Sequence, residues 1–137
     1  VGLNCSRGPA TMLPLLAEIR SAIGGHIAAQ PVPFHTHAAV PAFESLEHED
    51  GRRAFPIELE RFSASRFEMA AFARAARDLG VSYIGGCCGT GPHHVRAMAE
   101  ALGRVTPASR YSPALELHPV LGTGTEHAEM GDWAATA

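Results

Sequence analysis

A chain of 137 residues is of single-domain size and long enough to bury a sizeable core. Its 11 basic and 14 acidic residues leave a formal net charge of −3, so it offers no basic field to nucleic acid or to an anionic membrane. No apolar run reaches the roughly 18 residues of a membrane-spanning helix, and no signal-peptide order stands at the start.

Three cysteines, an odd number with two of them adjacent, do not make a disulfide framework. They suit a reducing cytoplasm, where thiolates can hold metal. The basic residues are all arginine, a habit spread over the whole chain rather than a site. Val1 stands inside an apolar segment with no methionine before it, which reads as the start of a fragment.

The segment from Val1 to Cys5 reads as a short strand, followed by an Arg7-Gly8-Pro9 loop. A helix begins at Ala10 or Thr11, tolerates Pro14 in its first turn, carries Leu15, Leu16, Ile19 and Ile23 as an apolar stripe, and ends at Gly24-Gly25. His26 to Gln30 reads as a second strand, stopped by Pro31 and Pro33. From His35 to Phe62 periodicity disappears and proline, acid and histidine gather, the mark of a long surface loop or insertion. Its apolar residues Phe43, Leu46, Phe55, Ile57, Leu59 and Phe62, without a helix or strand to bury them, predict packing against another surface.

Ser65-Arg66-Phe67-Glu68 has the spacing of a capping box, opening a helix that Gly80 closes. Val81-Ser82-Tyr83-Ile84 is a β-branched and aromatic run suited to a buried strand. Gly85-Gly86-Cys87-Cys88-Gly89-Thr90 is then a glycine-rich turn, and Pro92 to Leu102 a helix with Val95, Met98, Ala99 and Leu102 on one face. Residues 103–137 lack a strong period and have the composition of a solvated tail. Tyr111, Leu115, Leu117 and Trp133 within them favour a contact with another surface. Three strands alternating with three helices imply parallel strands with helices packed outside. An open doubly wound sheet satisfies this pattern as well as a barrel does.

A lone cysteine is ordinarily a small buried hydrophobe, and Cys5 by itself would carry that reading. Cys87 and Cys88 are different, because neighbouring cysteines are poor disulfide partners and flanking glycines let both sulfurs turn toward one point. Cys5 ends the only comparable strand. Cys5, Cys87 and Cys88 at the carboxyl ends of two strands form an open thiolate site for a soft metal, and zinc fits it best. A cation held by three sulfurs keeps a fourth position for a substrate thiol, whose proton it displaces. The glycines lack the Lys and spacing of a phosphate-binding loop. A vicinal-thiol redox switch is the competing reading, and it leaves Cys5 without a part. His93-His94 in the first turn of the last helix suits a solvent-facing or capping role, while His35 and His37 stand near a strand end on the same rim. Asn4 either orients the site or closes its strand.

Gly2-Leu3-Asn4-Cys5 followed by Gly85-Gly86-Cys87-Cys88-Gly89-Thr90 resembles the zinc-binding signature of the homocysteine S-methyltransferase family. Ala28 to Thr36 and Leu79 to Cys88 are most similar to its betaine-homocysteine S-methyltransferase branch. The resemblance covers residues 1 to about 104. It implies the last three βα units of a (β/α)8 barrel, interrupted by a long loop, with residues 105–137 as a tail or oligomerisation arm. It also implies Zn2+ on Cys5, Cys87 and Cys88, and methyl transfer from betaine or a similar donor to the homocysteine thiolate, giving methionine. A cytoplasmic homo-oligomer is the implied state of the full-length protein. The alternative is a zinc-binding or vicinal-thiol redox module without methyltransferase activity.

Overall fold

The structure, a computed structural model, describes residues 1–104. The tail or arm expected over 105–137, with Tyr111, Leu115, Leu117 and Trp133, lies outside the described residues. Strand β1 spans Gly2–Asn4, helix α1 Pro9–Ala22, β2 Ala28–Gln30, α2 Arg66–Asp78, β3 Tyr83–Ile84 and α3 Pro92–Ala101. The three strands form one parallel sheet in the order β1-β2-β3, with Leu3 opposite Ala29 and Ala29 opposite Ile84. Each strand is followed by a helix, as the alternation of patterns predicts. No helix among the described residues is long and apolar enough to cross a membrane.

Side chains alternate across a strand, and here the alternation separates the core from the site. Leu3, Ala29 and Ile84 face the helices and join a cluster built on Met12, Leu16, Ile27, Phe72, Ala76 and Val81. Full burial of a side chain such as Leu16 or Phe72 contributes about 1.5–3 kcal/mol. The opposite face carries Gly2, Asn4, Ala28, Gln30 and Tyr83, all exposed or half-buried.

Helix α1 begins earlier than the expected Ala10 or Thr11. Gly8 stands at its N-cap and Pro9 occupies the first helical position, where a missing N–H costs nothing. Pro14 therefore falls beyond the first turn, on the exposed side. Met12 and Leu16 are the fully buried positions of this helix, with Leu13, Ile19 and Ile23 packed beside them.

In α2 the capping box forms as expected, with Glu68 N–H donating to Ser65 Oγ and Ser65 N–H donating to the Glu68 carboxylate. The stripe expected on α3 is turned. His94, Ala97 and Met98 are buried, while Val95 is 53% exposed. Helix α3 packs chiefly on α2, through Met98 and Leu102 against Met69 and Ala73. That sideways neighbour, rather than the sheet, decides which face is covered. Val95, Ala99 and Leu102 line an open groove beside Ile84 on β3.

The segment from His35 to Phe62 corrects a second expectation. It folds on this chain as a lobe with a core of its own, in which Phe43, Leu46 and Ala54 join Val32 and Phe34, with Leu59 and Phe62 against them. Phe34 and Phe43 stack with ring centroids 5.3 Å apart. Phe55 and Ile57 alone of the six apolar residues stay exposed. Two single 3-10 turns, Phe43–Ser45 and Glu60–Phe62, and isolated bridges such as Phe34 with Ser63 carry the backbone. Such elements have no repeat, so the burial leaves no period in the sequence.

Candidate metal centre

Parallel strands bring their carboxyl ends to one rim, and the end of β2 holds the backbone of both cysteine segments. Cys5 N–H donates to Gln30 C=O at 3.0 Å, and Cys87 N–H donates to Pro31 C=O at 2.9 Å. Cys5 and Ser6 both take left-handed backbone conformations, with φ of 65° and 61°. Each costs roughly 1–3 kcal/mol in a residue with a Cβ. The cost is met by Arg7 N–H donating to Cys5 C=O at 2.7 Å and Phe43 N–H donating to Ser6 C=O at 2.8 Å. Ser6 Oγ also donates to Glu44 at 3.1 Å. The lobe thus clasps the turn that aims Cys5.

On the other side, Gly85 N–H is tied to Ala29 C=O, and Thr90 N–H closes the turn onto Cys87 C=O at 2.9 Å. Gly89 has φ of +85°, and a Cβ there would lie 2.8 Å from the Phe34 ring. Only glycine satisfies both the turn and that contact.

The result is convergence. Cys5 Sγ lies 3.6 Å from Cys88 Sγ, and Cys87 Sγ lies 3.8 Å from Cys88 Sγ. All three sulfurs fall within 4.8 Å of one another, and among the described residues they form the one group of three or more side chains able to hold a metal ion. Tetrahedral zinc with bonds near 2.3 Å sets its ligand sulfurs about 3.8 Å apart, so the donor set fits zinc in type and spacing. Cys88 is exposed, Cys5 and Cys87 half-buried, which leaves one side of the cluster open.

Without a cation, Cys5 and Cys88 shift in opposite directions. Burial pushes the Cys5 thiol up, but hydrogen bonds from the Ser6 backbone and from the other two thiols outweigh it, and the net shift is downward. Cys88 is pushed up to about 11, because its S–H is held first by Cys5 and then by Cys87, and charge on a neighbouring sulfur opposes a further one. A divalent cation reverses this logic, favouring the ionised form of every sulfur it touches.

Asn4 orients toward the cluster: Cys87 Sγ donates to Asn4 Oδ1 at 3.9 Å, and Asn4 Nδ2 donates to Gln30 Oε1 at 3.3 Å. The histidines stand apart from the sulfurs. His35 pairs with Glu68 at 2.8 Å, and His37 is exposed, bridged to Val40. His94, expected to face solvent or cap its helix, does cap it but from a buried position. Its Nδ1 accepts from Gly91 N–H at 3.1 Å, and its Nε2 is 3.0 Å from Ala64 C=O. Burial lowers its pKa, in keeping with a neutral ring that donates from Nε2.

Two features went unread in the sequence. Gln30 was assigned only as a strand residue, since nothing in the spacing pairs it with Asn4. A buried histidine cap has no signature like that of Ser with Glu three residues on.

The homocysteine S-methyltransferase family model matches residues 1–102. The chain belongs to that family. Among curated proteins it is similar to the S-methylmethionine-homocysteine S-methyltransferase of Pongo abelii, 36% identical over 132 residues that cover 86% of this chain and 35% of the relative. Betaine-homocysteine S-methyltransferase 1 of Xenopus laevis is 37% identical over 133 residues, 92% of this chain and 31% of the relative. The corresponding protein of Bos taurus is 38% identical over 133 residues, again 92% of this chain and 30% of the relative. The chain therefore spans about a third of the length of these family members.

Proposed function

We propose that this chain carries the thiol-activating zinc centre of a homocysteine S-methyltransferase that uses betaine or S-methylmethionine as methyl donor. Cys5, Cys87 and Cys88 are the ligands. The observation that carries the reading is the sulfur triangle on one rim of a parallel sheet, spaced for tetrahedral zinc, in a member of this family. Zinc bound there supplies a cation that lowers the pKa of an incoming thiol, so that homocysteine reacts as a thiolate at neutral pH.

What the chain itself contributes is placement. The β2 end and the lobe fix the sulfur positions, and the exposed side at Cys88 admits substrate. Methyl transfer from an ammonium or sulfonium donor to sulfur needs in-line placement and little further proton chemistry. Residues 1–104 read as the last βα units of a (β/α)8 barrel, supported by parallel order, helices on one face and an open groove along β3 and α3 at which Tyr83 and Val95 stay exposed. Residues 105–137 follow as an oligomerisation arm. A reducing compartment suits the three thiols.

The test uses the protein at its full length. Cys88→Ser should abolish both stoichiometric zinc and methionine formation with either donor while leaving helical circular dichroism unchanged. Activity retained in metal-free protein would overturn the reading in favour of a redox module, and stoichiometric zinc with no thiol methylation would make it a storage or sensing site. Deleting 105–137 should lower the oligomeric state measured by light scattering; an unchanged state would refute the arm.

A further inference from the structure

Gly8, the N-cap of α1, has no side chain with which to cap its helix. A residue from the lobe takes hold of it instead. Thr36 is buried, and its Oγ1 accepts Gly8 N–H at 2.9 Å. Thr11, in the first turn of α1, brings its Oγ1 within 2.5 Å of Thr36 Oγ1 and donates to Gly8 C=O at 3.4 Å. Each hydroxyl has one proton. With the Thr11 proton on Gly8 C=O, the Thr36 proton goes to Thr11, and the three hydrogen bonds close into a ring through Gly8, Thr36 and Thr11. Phe34, two residues before Thr36, touches both cysteine turns. Its ring lies under Gly89 in the turn of Cys87 and Cys88, and its carbonyl oxygen fills the space where a Gly8 side chain would stand.

We infer that Thr36 is a positioning residue for the metal centre, holding the turn that begins at Cys5 in place against the turn of Cys87 and Cys88 through its ring with Thr11 and Gly8. Cys5 and Ser6 are left-handed in succession, and such residues persist only where their surroundings overdetermine them. The turn is fixed along its length: Gln30 C=O accepts from Cys5 N–H, Phe43 N–H donates to Ser6 C=O, and Val32 N–H donates to Arg7 C=O. Those bonds join backbone to backbone. The last hold, on Gly8 N–H, comes from the Thr36 side chain and can be released by substitution. Thr36→Val keeps the shape and removes the hydroxyl, so that Gly8 N–H is left buried without its acceptor and the strained turn is free to relax. Thr36→Ser keeps the hydroxyl. The role rests on the reading of Cys5, Cys87 and Cys88 as a metal site.

The experiment uses the full-length protein and two probes. Cobalt(II) is titrated against a chelator. Arsenite is bound to metal-free protein, where it condenses with three neighbouring thiols and releases three waters, so it reads the sulfur triangle whether or not a divalent cation enters. Thr36→Val should weaken retention of both probes about tenfold, the size typical of groups that support metal ligands, and Thr36→Ser should restore both. Ser65→Ala, which removes the cap of α2, should lower the urea midpoint and leave both probes held as in wild type. Thr11→Val opens the ring but leaves Gly8 N–H its acceptor, so its effect should be of the same sign and smaller. A Thr36→Val protein that loses urea stability yet holds both probes like wild type overturns the positioning role, as does a Thr36→Ser protein as weak as Thr36→Val. If Thr36→Val does not fold, Thr11→Val decides, and unchanged retention there overturns the ring. Wild-type protein that binds arsenite but no cobalt defeats the zinc reading, and the arsenite arm then decides the role of Thr36 by itself.

Discussion

Gly89→Ala probes how far the sulfur triangle depends on the floor beneath it. The backbone at Gly89 has φ of +85°, and an added Cβ would meet Phe34 Cζ at 2.8 Å, Cε2 at 3.1 Å and Pro33 Cγ at 3.4 Å. The left-handed conformation costs an alanine about 1–2 kcal/mol. The contact adds an overpacking cost of about 1–3 kcal/mol, since Phe34 is buried and stacked on Phe43 and cannot swing aside freely. Together they predict a loss of roughly 2–5 kcal/mol, read as a fall in the urea unfolding midpoint, along with weaker zinc retention. Phe34→Leu removes the ring atoms that the new Cβ would strike. In that background Gly89→Ala should cost only the backbone part, about 1–2 kcal/mol. Gly85→Ala is the control, because its Cβ would meet nothing closer than 3.6 Å at a glycine of ordinary φ. An equal loss in both backgrounds, or a Gly89→Ala protein as stable as Gly85→Ala, would refute the role given to Phe34.

In metal-free protein, iodoacetamide near pH 8 should label Cys5 ahead of the more exposed Cys88, because the first thiol is shifted down and the second up to about 11; peptide mass spectrometry ranks the two, and labelling governed by exposure would reverse the order. His94 has a folded pKa below its ordinary value of 6.5, chiefly through burial. The unfolded chain therefore binds this proton first, stability is fully present above about pH 6.5, and it falls as pH drops toward the folded value. Urea midpoints at pH 8 and pH 5.5 should differ more for wild type than for His94→Gln, which keeps a donor and an acceptor without titrating. Ser65→Ala should cost about 1 kcal/mol of stability by removing the side chain that accepts from Glu68 N–H, with zinc content unchanged.

Elements with a period were legible in the sequence: all three helices, the parallel alternation, the capping box at Ser65 and the meeting of Cys5 with Cys87-Cys88. Legibility failed where packing is not periodic or where a neighbour is remote. The covered face of α3 was misread because α2 lies beside it, and no local pattern announces a lateral helix. Phe43, Leu46, Leu59 and Phe62 were expected on an outside surface because a 28-residue stretch from His35 to Phe62 shows no repeat; the structure buries them through single turns. Left-handed Cys5 and Ser6 were equally hidden, since neither residue is a glycine.

Two of these misses, the buried lobe and the left-handed turn at Cys5 and Ser6, share one physical origin, and it bears on how the cysteine cluster is built. A sheet can bring three sulfurs to one rim, but strands of two or three residues do not fix side-chain positions to a few tenths of an ångström. That accuracy comes from the aperiodic lobe, which packs Phe34 under Gly89, joins Phe43 to Ser6, and places its core against Cys5 and Cys87 together. The strain held at Cys5 and Ser6 persists because residues some forty positions away overdetermine it. Irregular sequence here marks the part of the chain that sets the sulfur positions, while the regular βα units supply the frame on which they are mounted.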